Sequence, residues 1–329
     1  MDRTEQAYQG IAVVGSTASG KSALALRAAS RFGGEIVSVD SMQVYRTMDI
    51  GTAKPTAAEL AAVPHHMIDI ASPTEAMSAV DFATEALAAA RDILARGRLP
   101  IFCGGTGLYL DAVLRGDAPA ETAADPAVRA ELLAFAEHNG AEALHARLAA
   151  VDAESAAAIH CNNVKRVARA LEVYLVSGKP KSVWDAESRT LPPAISLYTV
   201  ALCYHDRATL YGRIDRRVDA MLQNGLVEET RRLLEAGVFE RNGTAAAAIG
   251  YKELLPYLRG EKTLAEAAEE LKTATRRYAK RQTTWFSAKE YVHPLWCDTE
   301  DGKMRDFEAI FEEFCAMAEE NGFYPRTSS

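Results

Sequence analysis

The sequence predicts an α/β protein with a mostly parallel sheet, flanking helices and an inserted helical domain. Short apolar runs that end at glycine or aspartate indicate strands buried on both faces. Stretches rich in Ala and Leu at helical spacing come between these runs, an alternation typical of parallel strands joined by crossover helices. A long middle segment without any buried-strand pattern interrupts the alternation.

Strands and helices alternate over the first third of the chain. Residues 10–15, 35–40 and 100–105 have the pattern of buried strands. Residues 22–31 and 82–96 have the helix pattern, and a glycine follows each of them closely.

The middle segment, residues 117–193, consists of helix formers punctuated by turn dipeptides, so it predicts a helical insertion. The strand pattern returns at residues 195–202 and near 291–296, with helices between them. The predicted core therefore has two parts, residues 1–116 and 194–329, on either side of the insertion.

Composition excludes several classes of protein. Hydrophobic residues make up 48% and charged residues 25% of the chain, which argues against disorder. No apolar run reaches the roughly 18 residues of a membrane helix. The five cysteines are scattered as in a reduced protein, so we expect a cytoplasmic location and no membrane partner. The net charge of −8 argues against a uniformly basic surface, but not against a local basic patch.

A phosphate-binding loop follows the first predicted strand. The motif G-x-x-x-x-G-K-[ST] is filled by Gly15, Ser16, Thr17, Ala18, Ser19, Gly20, Lys21 and Ser22. The glycines allow successive N–H groups to face an anion at a helix N-terminus, and Lys21 adds a charge for the phosphates. The Ser22 hydroxyl is a natural ligand for a phosphate-bound Mg²⁺. The alternative is a chance glycine-rich turn, which the flanking strand and helix disfavour.

Asp40 ends the second predicted strand, and the carboxyl ends of parallel strands face the ligand crevice of such a sheet. It is therefore a candidate general base next to the group that Lys21 holds. A solvated carboxylate at a strand end, or an outer partner of the Mg²⁺, remains an alternative for Asp40.

Several segments, taken in order, resemble the tRNA dimethylallyltransferases, also called tRNA isopentenylpyrophosphate transferases. The matching segments are residues 15–22, 39–45, 48–55, 64–66, 104–109, 166 with 169–173, 248–253, and 278–282 with 284–285. They cover most of the chain between residues 15 and 285, and the ordered set is far more specific than the phosphate loop alone.

The resemblance implies a P-loop NTPase-like core whose helical insertion grips the anticodon stem-loop of tRNA. It implies transfer of a dimethylallyl group from dimethylallyl diphosphate to N6 of adenosine 37, just 3′ of the anticodon, with Mg²⁺ as cofactor. An exocyclic amine is a poor nucleophile, so a carboxylate such as Asp40 can take its proton as the new bond forms. The loop, Lys21 and Mg²⁺ would stabilise the leaving diphosphate.

The same resemblance assigns site residues. Asp40 and Thr106 are the implied catalytic positions. The implied tRNA-binding residues are Asp40, Ser41, Met42, Gln43, Thr106, Arg129, Lys165, Arg166, Arg169, Gly250, Tyr251, Lys252, Lys280, Arg281, Gln282 and Trp285. For Tyr251 and Trp285, the sequence leaves open whether the rings stack on bases or pack in the core.

Three basic groups stand out in this acidic chain. They are Lys165, Arg166 and Arg169; Arg213, Arg216 and Arg217; and Arg276, Arg277, Lys280 and Arg281. Any one group is commonly a solvated helix face, but three together favour contacts with an RNA backbone.

Other functions remain open at this stage. An adenylate isopentenyltransferase would use the same donor on free AMP or ADP, although it needs no extended basic surface. A P-loop small-molecule kinase would use ATP, with Asp40 deprotonating a hydroxyl. A non-enzymatic RNA-binding protein with a vestigial P-loop would not depend on Lys21. A monomer is expected for a protein that wraps one stem-loop.

Overall fold

The computed structural model describes residues 8–116 and 125–325. The first residues of the predicted insertion, 117–124, lie outside this part of the chain, as do 1–7 and 326–329. The chain divides into two compact units, one formed by residues up to Leu114 together with those from Ile195 onward, the other by Arg115–Ala194.

A six-stranded sheet organises the first unit. The strands are β1 (Gly10–Gly15), β2 (Gly34–Val39), β3 (His65–His66), β4 (Leu99–Gly104), β5 (Leu197–Cys203) and β6 (Val292–Trp296). They lie in the order β3-β2-β4-β1-β5-β6, and every pairing is parallel. The predicted fold class is confirmed. Because the strand order reverses next to β1, the crevice for a ligand is expected at the carboxyl end of this strand.

Alternate side chains of the strands enter two separate cores. In β1, Ala12 and Val14 pack into one hydrophobic cluster, whereas Ile11 and Val13 pack into another. Both faces of the sheet are therefore covered, which is why the strands read as continuous apolar runs rather than as alternating patterns.

Four helices accompany the first four strands. They are α1 (Lys21–Phe32), α2 (Ala57–Ala62), α3 (Ala79–Ala95) and α4 (Gly107–Arg115). Helix α3 begins at Ser78 with a capping box, in which Ser78 and Asp81 satisfy each other's backbone N–H groups. Helix α1 instead begins at Gly20 without a side-chain cap. Its first N–H groups are therefore available to a ligand.

The second unit is helical. Its helices are α5 (Pro126–Asn139), α6 (Ala141–Val151), α7 (Ala153–Ala158), α8 (Val164–Ser177) and α9 (Lys181–Thr190). A core of its own, which includes Leu132, Leu144 and Leu171, holds these helices together. That this unit grips tRNA remains a prediction.

The chain then returns to the first unit. The helices are α10 (Arg207–Gln223), α11 (Leu226–Glu235), α12 (Val238–Arg241), α13 (Gly243–Ala246), α14 (Leu255–Leu258), α15 (Leu264–Ser287) and α16 (Phe307–Glu320). A second capping box, formed by Thr263 and Glu266, starts α15. Among the helices that the structure describes, none is long and apolar enough to cross a membrane.

Candidate active site

The predicted phosphate loop joins the carboxyl end of β1 to the start of α1. Its backbone enters the left-handed region at Gly15 (φ 144°), Ala18 (φ 62°) and Gly20 (φ 102°). Glycine adopts such angles without strain, but alanine rarely does. The conformation at Ala18 must therefore be held by its surroundings, as is frequent at ligand sites.

Carbonyl groups of the loop are tied to the surrounding protein. Arg213 Nε donates to the carbonyl of Ala18 at 2.8 Å, and the hydroxyl of Tyr204 donates to that of Ser19 at 2.8 Å. These bonds hold the loop from outside while the N–H groups at the start of α1 stay uncapped. An uncapped helix N-terminus in this setting favours an anion.

Two cations lie beside the loop. Lys21 Nζ donates to the carbonyl of Ser16 at 3.2 Å, and burial lowers the pKa of its ammonium group. Arg217 comes from α10; burial lowers the pKa of its guanidinium, and the charge of Asp40 partly offsets this effect. Partly buried cations are stabilised by an anion, so this end of the site suits a negatively charged ligand.

The basic group on α10 lies beside the phosphate loop. Arg213, Arg216 and Arg217 line a pocket of about 390 Å³ together with Ala18 and Lys21. The sequence showed that the three arginines share a helix, but not which element that helix packs against. Contact of this group with an RNA backbone stays a prediction, and its place beside the loop makes an anion bound there a second candidate partner.

Asp40 and Thr106 stand at the carboxyl ends of the adjacent strands β2 and β4. Asp40 Oδ1 accepts the N–H groups of Met42 at 2.9 Å and Gln43 at 3.3 Å. The hydroxyl of Thr106 accepts the N–H of Ser41 at 3.1 Å. The two predicted catalytic residues thus hold the same turn, and no described residue donates to Asp40 Oδ2.

Gln43 uses its side chain to build this site. Its amide Nε2 donates to the carbonyls of Thr52 and Ala53, both at 3.1 Å, and its Oε1 accepts from Ser38 at 2.8 Å. Gln43 was predicted to contact the tRNA base. In the structure, the polar atoms of the Gln43 side chain bond to other groups of the protein. Any contact of this side chain with a base would have to compete with these three hydrogen bonds.

A single cavity of about 720 Å³ joins these groups, within the size range of small-molecule sites. At its polar end are Thr17, Lys21, Ser22, Asp40, Ser41 and Arg217. Apolar side chains form another part of its wall, among them Met42, Val218, Met221, Ile249 and Leu271. The cavity can therefore hold a ligand with one strongly anionic end and one hydrophobic end.

Sequence reasoning missed Tyr278 as a member of this site. Its ring lines the cavity, and burial together with the nearby charge of Asp40 raises the pKa of its hydroxyl to about 12. Tyr278 lies four residues before Gln282 and seven before Trp285 on α15. This helical spacing was a signal that the three side chains share a face.

The residues predicted around Tyr251 take different roles. The ring of Tyr251 is 0% exposed, and its hydroxyl donates to Glu229 at 2.7 Å. A base cannot stack on this ring as it is packed, so of the two roles left open for the Tyr251 ring the structure favours packing in the core. Gly250 (φ 110°) and the exposed Lys252 line the cavity.

The predicted segment on α15 divides between two faces. Lys280 and Arg281 are exposed, whereas Gln282 is only 6% exposed. Trp285 is half-buried and packs so closely on Gly107 that a Cβ there would lie 2.3 Å from the indole ring. Gln282 and Trp285 thus face the protein, which argues against the predicted direct contacts of these two side chains with tRNA.

In the helical unit, two of the predicted RNA contacts bind a buried carboxylate. Arg129 donates to both oxygens of Glu172, at 2.8 and 3.0 Å, and Arg169 lies 3.1 Å from the same group, which is 0% exposed. Lys165 and Arg166 are exposed on α8. Arg129 and Arg169 therefore stabilise the fold of this unit, whatever else they contact.

A family model and many curated relatives match most of the chain. Residues 43–289 match the family model described as IPP transferase. A tRNA dimethylallyltransferase of Geobacillus thermodenitrificans is 49% identical over 88% of this chain and 90% of the relative. The matched range of the family model begins after the phosphate loop and Asp40.

Solved structures of similar transferases share the fold of this chain. A tRNA isopentenylpyrophosphate transferase of Bacillus halodurans is 43% identical, with a TM-score of 0.67 over 95% of this chain and 96% of the other. A eukaryotic dimethylallyltransferase, described as acting on tRNA, is 28% identical, with a TM-score of 0.79 over 98% of this chain and 82% of the other. The fold and the site thus define an enzyme of the prenyltransferase class. The chain belongs to the IPP transferase family.

Proposed function

We propose that this enzyme transfers a dimethylallyl group from dimethylallyl diphosphate to N6 of adenosine 37 in the anticodon loop of tRNA. One observation carries the proposal: an anion site and a carboxylate share one cavity that also has an apolar wall. Relatives named tRNA dimethylallyltransferase support the choice of substrates.

The diphosphate would bind at the polar end of the cavity. The start of α1 offers uncapped N–H groups, and Lys21 and Arg217 offer positive charge that is partly shielded from solvent. Because these groups are already held in place, they would stabilise the charge that develops on the leaving diphosphate without reorganising.

The residues present fit a magnesium ion bound chiefly by the diphosphate. Ser22 offers a hard oxygen ligand at the start of α1, and the described residues contain no cluster of three or more His, Cys, Asp or Glu that would form a protein cage. When bound, Mg²⁺ would neutralise part of the diphosphate charge, and Ser22 is the residue of this chain that would hold it.

Asp40 would act at the other reactant. Its Oδ1 is held by two N–H groups, which fixes the carboxylate while Oδ2 is left to accept the proton from N6. The nitrogen would form its bond to the dimethylallyl carbon as the carbon–oxygen bond to diphosphate breaks. Tyr278, with a pKa of about 12, would stay neutral and not compete as a base.

Recognition of the anticodon stem-loop would rest on exposed basic side chains. Lys252, Lys280 and Arg281 in the first unit, and Lys165 and Arg166 in the helical unit, are exposed. The target adenine would leave the single-stranded loop to enter the cavity, which costs least where a base is not paired. A monomeric, cytoplasmic enzyme fits this proposal.

The experiment that tests the proposal supplies labelled dimethylallyl diphosphate and Mg²⁺ with either an anticodon stem-loop or free AMP and ADP. We expect label only in the stem-loop, at N6 of adenosine 37. A stem-loop with guanosine at that position is the matched control and should stay unlabelled. Label in the free nucleotide would instead indicate an adenylate isopentenyltransferase, and no label in either acceptor would contradict prenyl transfer.

A further inference from the structure

One buried side chain links the phosphate loop to the neighbouring strand end. Gln282 Oε1 accepts the N–H of Thr17 at 2.8 Å, and its Nε2 donates to the carbonyl of Gly105 at 2.9 Å. Thr17 belongs to the phosphate loop, and Gly105 directly follows β4. Gln282 therefore bridges two segments that are 88 positions apart in sequence, both far from α15.

The contact is too close to be incidental. A Cβ at position 105 would lie 2.2 Å from Gln282 Nε2, so only glycine allows this approach. Gln282 is 6% exposed, and both ends of its amide are used. A buried amide with both partners in place fixes one geometry, because the loss of either bond leaves a polar group without water.

The bridge acts directly on the anion site. The N–H of Thr17 donates to Gln282, and the N–H of Ser19 donates to the carbonyl of Ser16 at 3.2 Å, so the amides left for phosphate are the other N–H groups of the loop and of the start of α1. The carbonyl of the preceding residue, Ser16, accepts from Lys21 Nζ. The Thr17 N–H and the Ser16 carbonyl belong to the same peptide group, so holding Thr17 also fixes the carbonyl that orients Lys21.

We propose that Gln282 is a positioning residue for the diphosphate site and not a contact for RNA. It fixes the phosphate loop against the end of β4 and thereby the amides and Lys21 that bind the donor. This inference rests on the proposed function, in that it takes diphosphate as the ligand of the loop.

The first test compares the effect of one variant on the KM for dimethylallyl diphosphate with its effect on the KM for the stem-loop. Gln282→Met keeps the length of the side chain but removes both hydrogen bonds. We expect the KM for dimethylallyl diphosphate to rise about tenfold or more, with the KM for the stem-loop changed less than twofold. Lys280→Met, on the exposed face of the same helix, is the matched control and should show the opposite pattern.

A second variant tests the hydrogen bonds themselves. Gln282→Glu keeps the size of the side chain and the acceptor for Thr17, but as a carboxylate it repels the carbonyl of Gly105 and the diphosphate. When protonated, it can donate to Gly105 again. The variant should therefore bind inorganic diphosphate with Mg²⁺ at least tenfold more weakly than the wild type at pH 8.5, where the carboxyl group is ionised, and this difference should shrink as the pH is lowered.

Calorimetry with inorganic diphosphate and Mg²⁺, without any acceptor, keeps this inference distinct from the proposed function. Loss of diphosphate binding in Gln282→Met would support the positioning role even if the wild type transferred no prenyl group. The proposal is overturned if Gln282→Met weakens binding of the stem-loop alone, or if both variants bind diphosphate as the wild type does at every pH.

Discussion

Asp40 shows how a single carboxylate can have a structural and a chemical role at once. Its Oδ1 closes the turn that follows β2 by accepting two N–H groups, and this fixes the direction of the other oxygen. A general base must be held within reach of the proton that it takes, and this turn provides that restraint.

We predict that Asp40→Asn lowers the single-turnover rate by at least about 10² while leaving the affinity for tRNA nearly unchanged. The amide oxygen of asparagine can still accept the two N–H groups, so the turn should persist, but an amide cannot take a proton. Rapid-quench rates and a filter-binding Kd would measure the two effects. A rate near that of the wild type would remove Asp40 as the base.

At the level of elements, a buried carboxylate on α11 holds the loop that forms part of the cavity wall. Glu229 accepts the N–H groups of Asp49, Ile50 and Gly51 at 2.9–3.1 Å, and it also accepts from Tyr251. Gly51 and the two residues after it line the cavity. The shape of the cavity therefore depends on a residue that does not line it.

We predict that Glu229→Gln lowers the free energy of unfolding by about 2–3 kcal/mol, because an amide presents N–H groups to donors that need an acceptor. Tyr251→Phe removes only one of the four donor groups and should cost about 1 kcal/mol. Urea unfolding would measure both. Equal costs for the two variants would contradict the central role of Glu229.

A buried carboxylate, Glu35, lies near the start of strand β2. Glu35 binds Arg96, whose hydrogen bonds lower the pKa of the carboxyl group to about 2 against the cost of burial, and His66 adds to the effect. A folded-state pKa below the unfolded value near 4.3 stabilises the protein above that value, and the stabilisation is lost as pH falls toward 2.

Between pH 4.5 and pH 2, the wild type should therefore lose about 2 kcal/mol more stability than Glu35→Gln, whose side chain does not titrate. Arg96→Gln removes the main cation and should flatten the same part of the curve. Unfolding free energies measured across this pH range would show the difference. Parallel curves for wild type and Glu35→Gln would contradict the assigned ion pair.

For the whole molecule, the distribution of charge matters more than the total. The net charge is −8, and many basic groups are bound internally: Arg129 and Arg169 at Glu172, Arg276 at Asp215, and Arg213 at the phosphate loop. Fewer basic side chains are therefore free to contact RNA than the sequence suggests; exposed ones include Lys165, Arg166, Lys252, Lys280 and Arg281. Unlike the internally paired groups, each of these side chains can neutralise a phosphate of bound RNA.

We predict that the Kd for tRNA rises about a hundredfold between 50 and 200 mM salt, the response expected if roughly four phosphates are neutralised. Lys280→Met should reduce the slope of log Kd against log salt by the amount that one phosphate contact contributes, about 0.9. Fluorescence anisotropy at several salt concentrations would measure this. A flat response would mean that the exposed basic residues do not contact the RNA backbone.

The sequence by itself determined the features that depend on residues close to one another along the chain. The strands around β1, the phosphate loop and the position of Asp40 follow from local patterns of apolar residues, glycines and charge, and the structure confirms the fold. Only the tertiary structure decided what the basic and aromatic groups do: Arg217 and Tyr278 in the cavity, Tyr251 in the core, Gln282 against the loop. The physical reason is that a helical pattern records which side chains share a face, whereas the partner of that face is set by packing between residues that are hundreds of positions apart.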